Sequence, residues 1–199
     1  MSTLTFPAVT PNAAEFALEA NTQTLRSELN GAVQTVALPG DRWVANLTFN
    51  NLTGTKARLM RAFVGSLRGQ AGRFYLVPPS NVRAGIGTGT PLVNGANQTG
   101  SSIITDGWTA SQTGIVCAGD YINVGTELKM VTADANSNGS GQATIYFTPP
   151  IRVSPADNSA IVTVNPTVIM ALKDGKQARW QSQPTPIYNL TLACEEPLT

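Results

Sequence analysis

Hydrophobic and polar positions alternate strictly over residues 42–50. Trp43, Ala45, Leu47 and Phe49 stand between Val44, Asn46, Thr48 and Asn50. A period of two predicts a strand with one buried face. The period then lengthens. Met60, Phe63, Val64 and Leu67 recur at the spacing of one helical face. Thr53 or Thr55 is placed to cap the start of that helix, and Gly69 stands where a left-handed stop is wanted. Arg58, Arg61 and Arg68 fall at helical spacing away from the apolar stripe. Arg73-Phe74-Tyr75-Leu76-Val77 extends again, so residues 42–77 read as strand, helix, strand.

Before this stretch the pattern is that of an N-terminal arm feeding a β region. Phe16, Leu18 and Ala20 alternate as an edge strand would. Thr22-Gln23-Thr24-Leu25 continues extended, and Asn30-Gly31 is a turn pair. Val33, Thr35 and Ala37 alternate with Gln34, Val36 and Leu38. Pro39-Gly40-Asp41 is a second turn signal leading into the strand at Arg42, which predicts a hairpin there.

After Pro78-Pro79 the composition shifts. Residues 85–102, GIGTGTPLVNGANQTGSS, read as a long surface excursion. Short β-like runs follow: Ile103-Ile104, then Tyr121 to Val124, Leu128 to Val131, Ala143 to Phe147 and Ile161 to Val164. Turn signals at Ala118-Gly119-Asp120 and Gly125 separate them, and Pro149-Pro150 and Asn165-Pro166 close two of them. Short strands at turn-marked spacing predict a small barrel or sandwich. DANSNGSG, from Asp134 to Gly141, reads as a polar hairpin tip.

From Thr167 the first pattern returns. Val168, Met170 and Leu172 alternate; Lys173-Asp174-Gly175-Lys176 is a charged turn. Gln177-Ala178-Arg179-Trp180 extends, and Pro184-Thr185-Pro186 marks an edge or bend. Tyr188, Leu190, Leu192 and Cys194 then repeat the alternation of Trp43 to Phe49. The simplest arrangement pairs these two strands in one sheet. Residues 1–84 and 166–199 then form one discontinuous core domain, and residues 85–165 an inserted β domain. The expected class is mainly β with one helix: a β-sandwich-like core carrying an inserted small β-barrel.

Composition narrows the function. Charged residues make up only 13% of the 199, about half the usual quarter. Such a surface suits a protein covered by neighbours, or a β-rich domain with a neutral polar exterior. The net charge of +1 argues against a nucleic-acid reader, which needs a clustered basic face. No run of about 20 apolar residues predicts a membrane span. MSTLTFPAVTPN lacks the basic start and apolar core of a secretory signal.

Candidate chemistry is thin. There is no histidine, which removes the commonest general base and metal ligand together. Cys117 and Cys194 are a lone distant pair in apolar contexts, read as small buried hydrophobes rather than a disulfide or metal site. Gly85, Gly87 and Gly89 are followed by no Lys-Ser or Lys-Thr and no helical pattern, so they are not a phosphate loop. Asp134, Asn136, Asn138 and Gly139 share the spacing of a calcium loop, but the closing acidic position holds Ile145. Gly139-Ser140-Gly141 lacks a base. Nothing in the spacing of the 12 carboxylates selects a catalytic pair; Asp120 and Asp157 read as turn residues with local hydrogen bonds. No catalytic, cofactor or metal residue is therefore named, and no enzyme is expected. Trp43 and Trp180 read as core or interface anchors. Trp108 reads as a loop residue that covers a barrel end or stacks a sugar or partner.

These residues carry a resemblance. ANTQTL with LNGAVQTVALPGDRWVANLTF, the helix, LRGQAGRFYL, the segment from AGDYINVGTELKM through IRVSPAD and the closing YNLTLACEEPL together resemble the distal tail protein family of long-tailed bacteriophages. The resemblance implies a structural virion protein without cofactor. Its members form a hexameric ring at the distal end of the tail, joining the tail tube to the baseplate hub and adhesion apparatus. Some carry an OB-like barrel inserted in the core, and an outward domain can serve attachment or hold side fibres. The implied locations are the virion tail tip and, during assembly, the host cytoplasm. In such a ring Arg58, Arg61 and Arg68 could meet a neighbour's acids, with Glu195 and Glu196 as candidates; a solvated helix face is the other reading. Two further functions fit the sequence. One is a carbohydrate- or receptor-binding module with Trp108 or Tyr121 as stacking platform. The other is a tail tube or terminator subunit.

Overall fold

The chain folds mainly into strands, with one α-helix among the described residues. A computed structural model describes residues 3–79, 81–175, 181–182 and 187–198. In chain order come β1 (Leu4–Thr5), β2 (Ala13–Glu19), β3 (Thr22–Arg26), β4 (Val33–Ala37) and β5 (Arg42–Thr53). Helix α1 (Gly54–Leu67) and β6 (Phe74–Leu76) follow. Then come β7 (Gly89–Val93), β8 (Gly100–Trp108), β9 (Tyr121–Val124), β10 (Glu127–Val131), β11 (Ala143–Ile151) and β12 (Ile161–Val162). The chain closes with β13 (Val168–Leu172), β14 (Gln181–Ser182) and β15 (Ile187–Glu195). It divides into two compact units: Met1–Tyr75 with Met170–Thr199, and Leu76–Ile169. The sequence boundaries, 85 and 165, fall inside the second unit, because residues 76–84 join it through contacts that no local pattern reveals. The predicted extension over 177–180, the bend at 184–186 and the anchor role of Trp180 lie outside the described residues.

The first unit is built on a sheet in the order β1-β6-β13-β15-β5-β2, with β14 also paired to β15. The two look-alike strands are neighbours: Leu190 lies opposite Phe49, Leu192 opposite Leu47 and Cys194 opposite Ala45. All six are buried, so the shared alternation places both apolar sets on one face. The register slips at Asn50–Asn51, where Asn51 is left-handed (φ 59°) and its N–H donates to Asn189 Oδ1 at 3.0 Å. At the other end Glu196 closes the sheet. Its N–H donates to the Trp43 carbonyl at 2.8 Å, and its Oε2 accepts from the Trp43 N–H at 3.2 Å.

Helix α1 buries Ala57, Met60, Phe63 and Leu67. Phe63 meets Phe6 and Phe74 edge-on, with ring centroids 5.1 and 5.3 Å apart, and Phe6 stacks on Phe49 at 6.2 Å. This aromatic cluster fixes the helix to the buried face. Thr53 stands at the N-cap in extended conformation without a side-chain cap bond. The left-handed stop begins one residue earlier than expected, at Arg68 (φ 52°, ψ 45°), with Gly69 left-handed after it (φ 71°). A Cβ in that region costs about 1–2 kcal/mol, which glycine avoids. Arg68→Gly is expected to raise the melting temperature of the first unit, by about 0.5–1 kcal/mol of stability after glycine's entropy cost. Thermal unfolding checks this.

The second unit is a nearly closed barrel, in the order β12-β9-β10-β11-β8-β7. Its ends meet: Leu92 bridges Ala160, and the Val93 N–H donates to Ser159 O at 2.9 Å. The core includes Val93, Ile103, Trp108, Ile122, Ile145 and Phe147. Gly125 turns β9 into β10 at φ 61°, as the sequence predicts. β11 does not stop at Pro149-Pro150 but runs through both to Ile151. Its register with β8 shifts between Tyr146 and Ile151, the kind of irregularity that tolerates residues without an N–H.

The glycine-rich stretch is not a surface excursion. Ile86 and Gly87 donate to Gly114 O and Ile115 O at 2.9 and 3.0 Å, and the chain continues into β7 and β8. A Cβ on Gly85 would lie 2.6 Å from Val116 Cα, and one on Gly87 2.5 Å from Ile115 O. These glycines serve close backbone approach rather than flexibility. Asp120, read as a local turn residue, is buried instead. It accepts from the N–H groups of Ala84, Gly85 and Cys117 at 2.7–2.9 Å, tying residues 84–85 to the barrel.

Candidate interaction surface

β3 and β4 form a hairpin that belongs to neither unit's core. Its register runs from Thr22 opposite Ala37 to Arg26 opposite Val33, and every residue from 19 to 39 is exposed. The rise of five residues in each strand carries it about 17 Å from its base. Leu25, Val33, Val36 and Leu38 are 40–60% exposed, and Leu29 at the tip is fully exposed. The tip is held locally. Ser27 Oγ accepts from the Leu29 N–H, Asn30 Oδ1 accepts from the Ala32 N–H, and Gly31 is left-handed (φ 70°). An isolated two-stranded hairpin is marginally stable in water, and exposed apolar strands invite pairing.

Pro39-Gly40-Asp41 makes no hairpin between β4 and β5. β4 pairs with β3, while β5 pairs with β2, from Ala13 opposite Thr48 to Glu19 opposite Arg42. The turn is a kink in a two-stranded ribbon. The Asn21 N–H donates to Asp41 Oδ1 and its amide to Pro39 O, both at 2.8 Å, across from Gly40 at φ 121°. The kink redirects the ribbon into an arm.

Two further surfaces belong to the first unit. β2 is the sheet's edge strand, and Glu15 and Glu19 are exposed on it. The exposed side of α1 carries Lys56, Arg58 and Arg61, with Arg68 at its end and Leu59 half exposed among them. The helix contains no acidic residue. Arg61 lies over the Tyr188 ring at 5.3 Å. The acids first matched to this stripe are otherwise engaged. Glu196 is buried against Trp43, and Glu195 pairs with Arg42 at 3.6 Å.

No family model matches the chain, and no curated protein matches it. The surface must be read from its own chemistry.

Most residues singled out by sequence have structural places. Trp43 is in the core, stacked on Phe16 at 5.0 Å. Trp108 is not a loop residue: it ends β8, is buried, and donates from Nε1 to Thr105 Oγ1 at 2.8 Å. It offers no face to a sugar. Tyr121 is half-buried, and burial raises its phenol pKa. The DANSNGSG stretch is only partly a tip. Ala135 and Ser137 are buried, while Asp134 and Asn136 accept from the N–H groups of Ala118 and Gly114 at 2.8 and 2.7 Å. These side chains satisfy neighbouring backbone rather than pointing at a common ion. Among the described residues no three Cys, Asp or Glu side chains are grouped to hold a metal.

Cys194 is buried, and that burial pushes its thiol up to about 12. Cys117 is half-buried; desolvation, then Asp134 and Asp120, raise its pKa. Both favour the thiol over the reactive thiolate. Two features escaped the sequence reading. The arm's apolar residues look like ordinary strand positions, since alternation does not say whether a face is covered. Glu127 and Lys129, two apart on one strand, form a buried ion pair in the barrel, with Lys129 fully buried.

Proposed function

We propose that this chain is a non-enzymatic structural protein of a phage tail tip. Six copies form a ring at the distal end of the tail tube, joining it to the baseplate hub, with side fibres as further partners. The observation that carries the reading is the arm. A fully exposed hairpin with five large apolar side chains is poorly supported in a lone copy and well suited to lie on a neighbour. The low charge fraction and the exposed β2 edge support the same reading, as does the resemblance of the sequence phrases. The barrel unit is the candidate for outward contacts.

The test is the mass of the protein in solution, with electron microscopy of the assembled particle. A six-fold ring is expected; a protein that stays monomeric at high concentration would end the proposal. Leu25 and Val36 share one face of the arm. Leu25→Asp with Val36→Asp is expected to shift the assembly to monomers with an unchanged melting temperature of the first unit. A full-sized assembly from this variant would remove the arm from the contact.

A further inference from the structure

The two charged surfaces of the first unit are opposite in sign and far apart. Glu15 and Glu19 lie on the outward side of β2, since Ala14, Phe16 and Leu18 pair with the inward-facing Leu47, Ala45 and Trp43. Glu19 stands opposite Arg42, the first residue of β5. Helix α1 starts directly after Thr53, the last residue of β5, and packs on the opposite, buried side of the sheet through Phe63. Glu15 stands opposite Asn46, so the start of α1 is roughly 24 Å from Glu15 and roughly 37 Å from Glu19 along the strand direction, at about 3.4 Å per residue. Both are several times the Debye length of about 8 Å at physiological salt. Within one copy the two patches do not neutralise each other.

We infer that the acidic edge strand of one copy, at Glu15 and Glu19, seats against the basic N-terminal part of α1, at Lys56 and Arg58, on a second copy. The inference rests on the ring reading and names its seam. A ring requires one patch to meet a different patch on the neighbour, and these patches are distinct, complementary in charge and at opposite ends of one sheet. The four side chains are exposed. Lys56 in the first turn, with Arg58 just after it, also opposes the helix dipole, an arrangement that carboxylates arriving from a neighbour relieve. Leu59, half exposed in the next turn, supplies an apolar contact beside the charges.

The experiment compares four full-length proteins by native mass and light scattering at physiological salt: wild type, Glu15→Lys with Glu19→Lys, Lys56→Glu with Arg58→Glu, and all four changes together. Each reversed pair is expected to weaken assembly at least tenfold in dissociation constant, and the four-fold swap to restore it. Melting temperatures of the reversed proteins check that the fold is intact. If the reversed proteins assemble like wild type, or the swap fails to restore a lost assembly, the seam is wrong while the ring stands. A monomeric wild type overturns the ring reading itself, and the seam with it.

Discussion

Replacing Lys129 by methionine is expected to destabilise the barrel unit by about 3–5 kcal/mol, the usual result of removing one partner of a buried ion pair. Lys129 is fully buried in β10. Its Nζ donates to Glu127 Oε2 at 2.5 Å and to Pro150 O at 2.8 Å, and lies 5.8 Å from the Phe147 ring centroid. Glu127 in turn accepts from the N–H groups of Arg152 and Val153 at 3.2 and 2.9 Å, which anchors the turn after β11. Without lysine the carboxylate stays buried and loses its close cation, keeping only the longer contact with the part-exposed Arg152 guanidinium, 3.8 Å from Oε1. Adding Glu127→Gln to Lys129→Met removes that charge and is expected to recover part of the loss. Denaturant unfolding of the two variants decides this; a Lys129→Met protein as stable as wild type would show that the pair contributes little.

The same pair sets a pH dependence. Burial raises the Glu127 carboxyl, but the Lys129 hydrogen bond and charge, with the two backbone N–H groups, outweigh it and hold the pKa below its ordinary value. A carboxyl whose pKa is depressed by folding stabilises the fold above the unfolded value, about 4.3 for glutamate. The contribution is lost as pH falls through the folded value. The wild-type barrel should therefore weaken below about pH 4 more steeply than the Lys129→Met, Glu127→Gln protein.

The second large effect is at Gly87. An added Cβ would stand 2.5 Å from Ile115 O, 2.7 Å from Trp108 Cζ3 and 2.9 Å from Ile115 Cα. Two of these atoms are backbone and cannot rotate away. Gly87→Ala is expected to cost about 3 kcal/mol, the upper end of ordinary overpacking, and to loosen the Ile86 and Gly87 hydrogen bonds that tie residues 84–88 to the barrel. Faster amide exchange at these two positions, with a lower melting temperature, is the readout. An alanine variant that melts like wild type would mean that residues 84–88 can lift from Ile115 at little cost.

What could be read from the chain follows from how locally each feature is encoded. The pairing of Trp43 to Phe49 with Leu190 to Cys194 was legible because both segments carry the same one-sided alternation. The helix was legible because its apolar spacing and its stop lie within a few residues of each other. The turn at Gly125 was legible because a tight β-turn needs a left-handed residue. Gly85 and Gly87 misled, because glycine-rich composition is the same for a loose loop and for a strand pressed against its neighbour. Pro39-Gly40-Asp41 misled for a related reason: the same residues reverse a chain or kink a ribbon, and the choice rests on Asn21, far away in sequence. Trp108 and Asp120 looked like loop residues because contacts that place them come from segments distant in sequence: the Trp108 N–H donates to Gly141 O, and Asp120 accepts from the N–H groups of Ala84 and Gly85.

The sequence by itself determined a β-rich chain with one helix, a first and last segment sharing a sheet, and a middle built of short strands. Those are consequences of period and turn chemistry, which act over a few residues. Only the tertiary structure decided which alternating strands are covered. β5 and β15 bury their apolar faces, while β3 and β4, which also read as extended, leave Leu25, Val33 and Val36 in water. Burial depends on what packs against a face, and no residue carries that information alone.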